Sequence, residues 1–450
     1  MSLTLAERTK TKILQGDFAG AERDFYRERQ QEAAQEFQEI VVETVESEDG
    51  RDIAQRLRTQ HRYRSLRKKE VAITTLTGDR ITIPSWYAVK AEKTRGRKKK
   101  GPNGRGDHLL LRYWGFHDFH SPNYTSLIAR AGVSAQSYQL AVADLKEHGI
   151  TITDHGVSNV VDRLGEEAAV NRSTIALAQG ESLAGKRVIV AIDGGRTRLR
   201  EDKAGRLKKD QKMRGFSSPW REPKLLVVAE LDEEGRYRKG AKPLYEATLG
   251  DHDAVFDLLH DVAGRMNLKD AREIVLSGDG ALWIWQKFNW LQDQLGIRSK
   301  TTEVLDFYHA AEHLTAICDA HTARTEEERK QWFQELKGLL RAGQYDTLRA
   351  SIEKESQANK LPKLMELFQY FERNRERMRY ALYEKNKQPI GSGIVESAIR
   401  RVINLKLKSP STFWRSERLE RMLQLRCILM AGRWRLFMQN MIHATRLSLI

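Results

Sequence analysis

Two aspartates stand at the ends of apolar runs, each followed by glycine: Asp193 in IVAIDGG and Asp279 in IVLSGDG. A glutamate, Glu396, follows a glycine-rich break in PIGSGIVESA. Apolar runs of this length, rich in β-branched residues, read as buried strands. The strand ends of an α/β sheet direct side chains into one crevice. Carboxylates gathered in a crevice are costly unless something positive binds there. Oxygen-rich donors suit magnesium or manganese. Two such ions about 4 Å apart can activate a water or a 3′-hydroxyl and stabilise the leaving oxygen in phosphoryl transfer. Each acid also has an ordinary structural reading. An aspartate after a strand opens turns, and a glutamate in a first helical turn complements the helix dipole. The shared contexts and the order of the three favour a catalytic set.

The elements around them follow from periodicity. RVIVAID (187–193), KLLVVAEL (224–231) and KPLYEATLG (242–250) read as three strands. A helix is expected from Asp253 to Met266, a fourth strand at EIVLSGD (273–279), and a helix at 282–296 ended by Gly296. TTEVLDF (301–307) reads as a fifth strand, and residues 308–385 as almost wholly helical. After Pro389-Ile390-Gly391-Ser392-Gly393, a helix from about Ile394 carries Val395, Ala398, Ile399 and Val402 on one face. This is the element order of an α/β, ribonuclease-H-like mixed sheet with an all-α insertion. Upstream, residues 1–70 are helix-rich in composition, and 71–89 alternate as a β-hairpin about Thr77-Gly78-Asp79. Residues 122–170 read as helices, with Val157, Val160, Val161 and Leu164 at i, i+3, i+4, i+7. Helix, turn, helix here has the shape of a DNA-binding pair, although the second helix is not strongly basic. The expected division is a helical region at 1–70, a hairpin and basic loop at 71–121, and a helix-turn-helix-like DNA-binding domain at 122–185. The catalytic domain takes 186–309 and 386–450, and the insertion takes 310–385.

The chain has 450 residues, about three domains' worth. Lys plus Arg is 77 against 61 for Asp plus Glu, a formal net charge of +16. That excess favours a polyanionic partner, nucleic acid before membrane. Two distant cysteines, Cys318 and Cys427, exclude a disulfide scaffold and a Cys-based zinc ribbon. The opening MSLTLAERTKTKILQGDFAG lacks the apolar core of a secretory signal, and no apolar run reaches membrane-spanning length. A cytoplasmic, nucleoid-associated protein is expected.

Basic segments fall beside the acids. Residues 90–106 hold eight basic residues against one acid, including Lys98, Lys99 and Lys100. Residues 196–214 hold nine against three, including Arg196, Arg198, Lys208 and Lys209. Arg400, Arg401 and Lys406 follow Glu396. These are the candidate phosphate contacts, solvated loops being the alternative. Trp283, Trp285, Trp290 and Trp332 could stack on a base, although tryptophans at helical spacing are more often core.

Four segments in order, IDGGRTR, SGDGALWIW, LDFYHAAEHL and PIGSGIVESAIRRV, resemble bacterial insertion-sequence DDE transposases of the Kra group, relatives of the Mutator-like and hAT-like transposases. The resemblance covers roughly residues 120–440. It implies a triad of Asp193, Asp279 and Glu396 holding two Mg2+ or Mn2+ ions. Here 86 residues separate the first pair and 117 the second; the wide second gap matches the helical insertion of those relatives. Asp306-Phe307-Tyr308-His309 matches their Cys/Asp-x-x-His motif, which implies active-site support from Asp306 and His309. Asp306 can equally be the N-cap of a helix starting at Phe307. One departure is that the hairpin and basic loop at 71–106 hold no cysteine, where relatives often carry a zinc-binding segment.

The function so implied is a DNA transposase. It would bind double-stranded DNA at terminal inverted repeats, cleave at the element ends and join the 3′ ends to target DNA, working as a homodimer or higher homo-oligomer. The alternatives are a ribonuclease-H-like structure-specific nuclease and a domesticated, non-catalytic DNA-binding protein.

Overall fold

The computed structural model describes residues 4–90, 106–170, 172, 176–203, 215–409 and 412–447. The chain is mixed α/β and divides into two compact units, Met1–Leu164 with Arg435–Ile450, and Gly165–Trp434.

The first unit opens with helices α1 (Leu5–Leu14), α2 (Phe18–Glu46) and α3 (Glu48–Gln60). Thr4 and Glu7 form a capping box on α1, and Asp17 and Ser47 cap the next two, supplying acceptors for otherwise unpaired N–H groups. Strands β1 (Tyr63–Thr74) and β2 (Arg80–Lys90) then pair antiparallel, with a short β3 (Gly106–His108) on the far side of β2. Ile73 faces Ile81 and Val71 faces Ile83. The turn between them needs Gly78, at φ +84°. The hairpin therefore begins at Tyr63, within the segment expected to be helical. Arg64, Arg67 and Lys68 are exposed there, and a register shift between Tyr63 and Ser65 leaves Tyr63 and Leu66 three residues apart, so no two-residue alternation shows against a helix-like composition. Trp86 Nε1 donates to the Val45 carbonyl at 3.0 Å and ties β2 to α2.

A short α4 (Leu109–Tyr113) leads to α5 (Pro122–Ser134), α6 (Tyr138–Glu147) and α7 (Asp154–Val170). Val157, Val161 and Leu164 are buried. A Cβ on Gly132 of α5 would stand 2.7 Å from side-chain atoms of Val157 and Val161, so glycine permits the close approach of these helices.

The second unit is built on five strands: β4 (Arg187–Gly194), β5 (Lys224–Leu231), β6 (Leu244–Thr248), β7 (Glu273–Gly278) and β8 (Thr301–Leu305). Their spatial order is β6-β5-β4-β7-β8. The first three are antiparallel neighbours, and β4, β7 and β8 run parallel. Val188 to Ile192 are all buried, as expected of a strand covered on both faces. Helix α8 (His252–Arg265) packs on β5 and β6, and α9 (Leu282–Leu295) follows β7. Between β4 and β5, two-residue strands pair Thr197–Arg198 with Trp220–Arg221 and Glu201–Asp202 with Phe216–Ser217.

After β8 the chain is helical: α10 (Phe307–Asp319), α11 (Glu326–Arg341), α12 (Tyr345–Ala358), α13 (Lys363–Arg373) and α14 (Tyr380–Lys385). Leu314, Leu336, Ile352, Phe368 and Phe371 are fully buried along these helices. The returning chain is pinned at both ends of β8. Gln388 Nε2 donates to Thr302 Oγ1 at 3.0 Å, and Phe307 N donates to the Ile390 carbonyl at 2.9 Å. Helix α15 (Gly393–Ile399) follows and widens into a π-turn at Arg400–Asn404. Helices α16 (Ser416–Met430) and α17 (Trp434–Leu447) complete the chain, and α16 packs on β6. Among the described residues no helix is long and apolar enough to cross a membrane. Cys318 and Cys427 are free and buried.

Candidate active site

Strands β4 and β7 are parallel neighbours with Ala191 opposite Ser277, so both deliver the residues after them to the same end of the sheet. Asp193 stands at the end of β4, half-buried, and Asp279 directly follows β7, also half-buried. The main chain turns each aspartate. Asp193 Oδ1 accepts from Gly194 N at 2.6 Å, and Asp279 Oδ1 accepts from Ala281 N at 2.9 Å. Gly280, between them in that second turn, has φ +91°, and a Cβ there would stand 2.7 Å from the Tyr370 hydroxyl. That hydroxyl donates to the Asp279 carbonyl at 2.7 Å. Glu222 adds an exposed carboxylate beside Gly194, whose missing Cβ leaves it room. Nothing in its sequence context, WREPK, marks it as part of the site.

Asp306 follows β8 and is fully buried. It caps α10, with Oδ1 accepting from Tyr308 N at 2.6 Å and from His309 N at 3.1 Å. Its other oxygen accepts from Ser392 N at 2.5 Å. One carboxylate thus caps α10 and holds the loop that starts α15, and the first turn of α15 carries Glu396. Donor atoms of Asp306, His309 and Glu396 lie within 4.8 Å of one another. Asp306 and His309 therefore stand beside Glu396; among the described residues the compact donor group is this trio, and Asp193 and Asp279 are not part of it.

Burial pushes the Asp193 carboxyl up to about 6; Asp279 and Asp306 push the same way, while the Gly194 hydrogen bond and His309 oppose. His313, one turn along α10, is held below the ordinary imidazole range by burial and then by His309. Its ring stacks on Tyr370 at 3.6 Å between centroids. Burial, with Asp279 and Asp306 adding, raises the Tyr370 phenol out of the physiological range, so it stays a neutral donor. Asp193 is thus a carboxylate whose charge lacks full compensation, among oxygen donors with one imidazole. That chemistry fits a hard divalent cation.

The described candidate phosphate contacts differ in exposure. Arg196, Arg198 and Arg400 are exposed, and the Arg198 guanidinium lies 4.7 Å from the Trp220 ring centroid. Arg401 is half-buried and donates to the Tyr245 hydroxyl at 2.8 Å. Lys406 contradicts its expected role. It is only 2% exposed, and burial followed by Arg426 lowers its ammonium to about 7. The reason is the π-turn. Arg426 enters from α16 to donate to the Arg401 and Val402 carbonyls, and Lys406 turns inward beside it. Lys98, Lys99, Lys100, Lys208 and Lys209 lie outside the described residues.

Of the tryptophans, Trp285 and Trp332 are core. Trp283 stacks on His252 at 4.0 Å, and Trp290 is exposed. The aromatics beside the basic ribbon are instead Trp220 and Phe216, the latter 4.6 Å from the Arg200 guanidinium. Interleaved Arg and aromatic residues after Asp193 were a readable signal for them. No family model matches the chain, and no curated protein and no solved structure matches it either.

Proposed function

We propose that the chain is a DDE transposase with a ribonuclease-H-like catalytic domain, acting on double-stranded DNA by metal-dependent cleavage and strand transfer. The reading rests on one observation. Asp193, Asp279 and Asp306 stand at the ends of three adjacent parallel strands, and Asp306 ties in the turn that carries Glu396. The strand order and directions in the second unit support the fold assignment.

Asp193, Asp279 and Glu396 would hold two Mg2+ or Mn2+ ions, which when bound activate the attacking hydroxyl and stabilise the leaving oxygen. The protein's own groups then have distinct tasks. Asp306 and Tyr370 fix the main chain on which Glu396 and Asp279 stand. His309 places an imidazole beside Glu396. Arg196, Arg198 and Arg400 meet phosphates and set the DNA register. The resemblance favours direct transesterification over a covalent protein–DNA intermediate. Synapsis of two element ends calls for at least a dimer, and a cytoplasmic site of action goes with the reading.

The test is a plasmid carrying both presumed ends from the DNA flanking the reading frame, incubated with the protein in Mg2+ or Mn2+. Breaks at the ends, absent with Asp279→Asn and Glu396→Gln, support the transposase. Metal-dependent nicking with no end preference favours a structure-specific nuclease. Binding with no breakage in either metal favours a non-catalytic DNA-binding protein.

A further inference from the structure

The first unit contains a cavity of about 160 Å3, away from the acidic cluster in sequence. Its apolar wall is Val160 and Leu164 of α7; its polar groups are His117, His120, Thr125 and Asn159. Three features distinguish it from a packing gap. The Thr125 side chain is 2% exposed, and its hydroxyl has no hydrogen-bond partner. A buried hydroxyl left unpaired is destabilising, and Thr125 is one of the residues that line the cavity. The turn over the cavity is strained. His117 and His120 exchange main-chain hydrogen bonds of 2.8 and 3.1 Å, while Asp118 and Phe119 between them hold φ +46° and +65°. A phenylalanine rarely adopts that conformation, and such strain persists where the surroundings impose it. Finally, Asp118 pairs with Arg163 of α7 and so ties the turn across the opening.

The volume suits one planar ring, since an apolar cavity near 150 Å3 accepts benzene. The rim is too polar for a plain hydrocarbon. Burial, with His117 adding, holds His120 below the ordinary imidazole range, so its ring at neutral pH has one donor and one acceptor nitrogen. Asn159 offers a paired donor and acceptor for the polar edge of such a ring.

We propose that this cavity binds a single unpaired nucleobase. The net charge of +16 makes nucleic acid the natural carrier of that base, so this inference rests on the DNA reading for the carrier but not for the chemistry of the pocket.

The test uses the full chain without divalent metal. Adenosine, guanosine, cytidine and thymidine are titrated separately while the histidine ring resonances are followed by NMR. A saturable shift of the His117 and His120 rings is expected with at least one nucleoside, in the millimolar range. Val160→Phe, which fills the cavity from a half-exposed position, should abolish it. Thr125→Val keeps the shape and removes the hydroxyl, and should weaken binding about fivefold with the fold intact. The proposal is overturned if no nucleoside shifts those rings, if Val160→Phe binds like the wild type, or if Thr125→Val binds equally well. Asp279→Asn should bind nucleoside normally. Nucleoside binding without DNA breakage would leave this proposal standing and remove the transposase reading. Breakage at the ends without nucleoside binding would do the reverse.

Discussion

The Tyr370 hydroxyl lies 2.7 Å from the main-chain carbonyl of Asp279 and donates to it, across 91 residues of sequence. Tyr370 belongs to α13, inside the helical segment that follows β8, and its ring rests on His313 of α10. The helical segment therefore takes part in shaping the turn that presents Asp279.

Tyr370→Phe removes this bond and leaves the ring stack. A hydrogen bond of this kind contributes about 1 kcal/mol, so single-turnover DNA breakage should slow about three- to tenfold. Thermal unfolding should barely change. An unchanged rate in the variant would remove the positioning role of Tyr370.

Asp193 links the site to stability. Its carboxyl titrates near 6 in the folded protein, raised by burial from an ordinary value of 3.8. The folded state therefore holds this proton more tightly than the unfolded chain. Above pH 6 both states are ionised and the burial penalty is fully present; below about pH 4 both are protonated and it is gone. The penalty is about 3 kcal/mol at most, and partial exposure reduces it. Asp193→Asn should thus unfold at a higher temperature than the wild type at pH 7.5 without divalent metal. The gap should close towards pH 4, and at pH 7.5 Mg2+ or Mn2+ should narrow it by stabilising only the wild type. Calorimetry across that range checks the sign, and a less stable Asp193→Asn at pH 7.5 would contradict it.

Asp306 accepts from three main-chain N–H groups, those of Tyr308, His309 and Ser392. Asp306→Ala leaves all three without their acceptor in a buried place, and a loss of about 3–5 kcal/mol is expected in denaturant unfolding. Asp306→Asn keeps one acceptor oxygen and should fall between. In both variants the Glu396 turn loses its anchor, so DNA breakage should fall further than stability alone explains. Full breakage activity in folded Asp306→Ala would rule out the anchoring role.

Binding to duplex DNA should weaken steeply with salt. Arg196→Ala, Arg198→Ala and Arg400→Ala should each lower the slope of log affinity against log salt by about one. Lys406→Met should leave the slope unchanged, because that ammonium is buried. A reduced slope for Lys406→Met would put Lys406 on the DNA-facing surface after all.

The sheet was legible because β4, β5 and β7 each contain consecutive apolar residues, 188–192, 225–229 and 274–276, and Asp193 and Asp279 follow the first and last of these runs closely. The start of β1 was hidden, since Arg64, Arg67 and Lys68 occupy its exposed positions. Periodicity also misses what depends on long-range packing. Nothing near Tyr370 in sequence marks it as a partner of Asp279. The burial of Lys406 follows from Arg426 entering the π-turn from another helix. The N-cap role of Asp306 was visible in the sequence, whereas its bond to the Ser392 N–H, 86 residues away, was not.

The most direct measurement is strand joining. A duplex carrying one presumed element end, already cut to a free 3′-hydroxyl, is mixed with supercoiled plasmid, Mn2+ and the protein. Labelled end should become covalently linked to the plasmid with the wild type, and with neither Asp193→Asn nor Glu396→Gln. Joining that survives both substitutions, or no joining by a wild-type protein that binds the end, would contradict the assignment of these carboxylates as the strand-transfer centre.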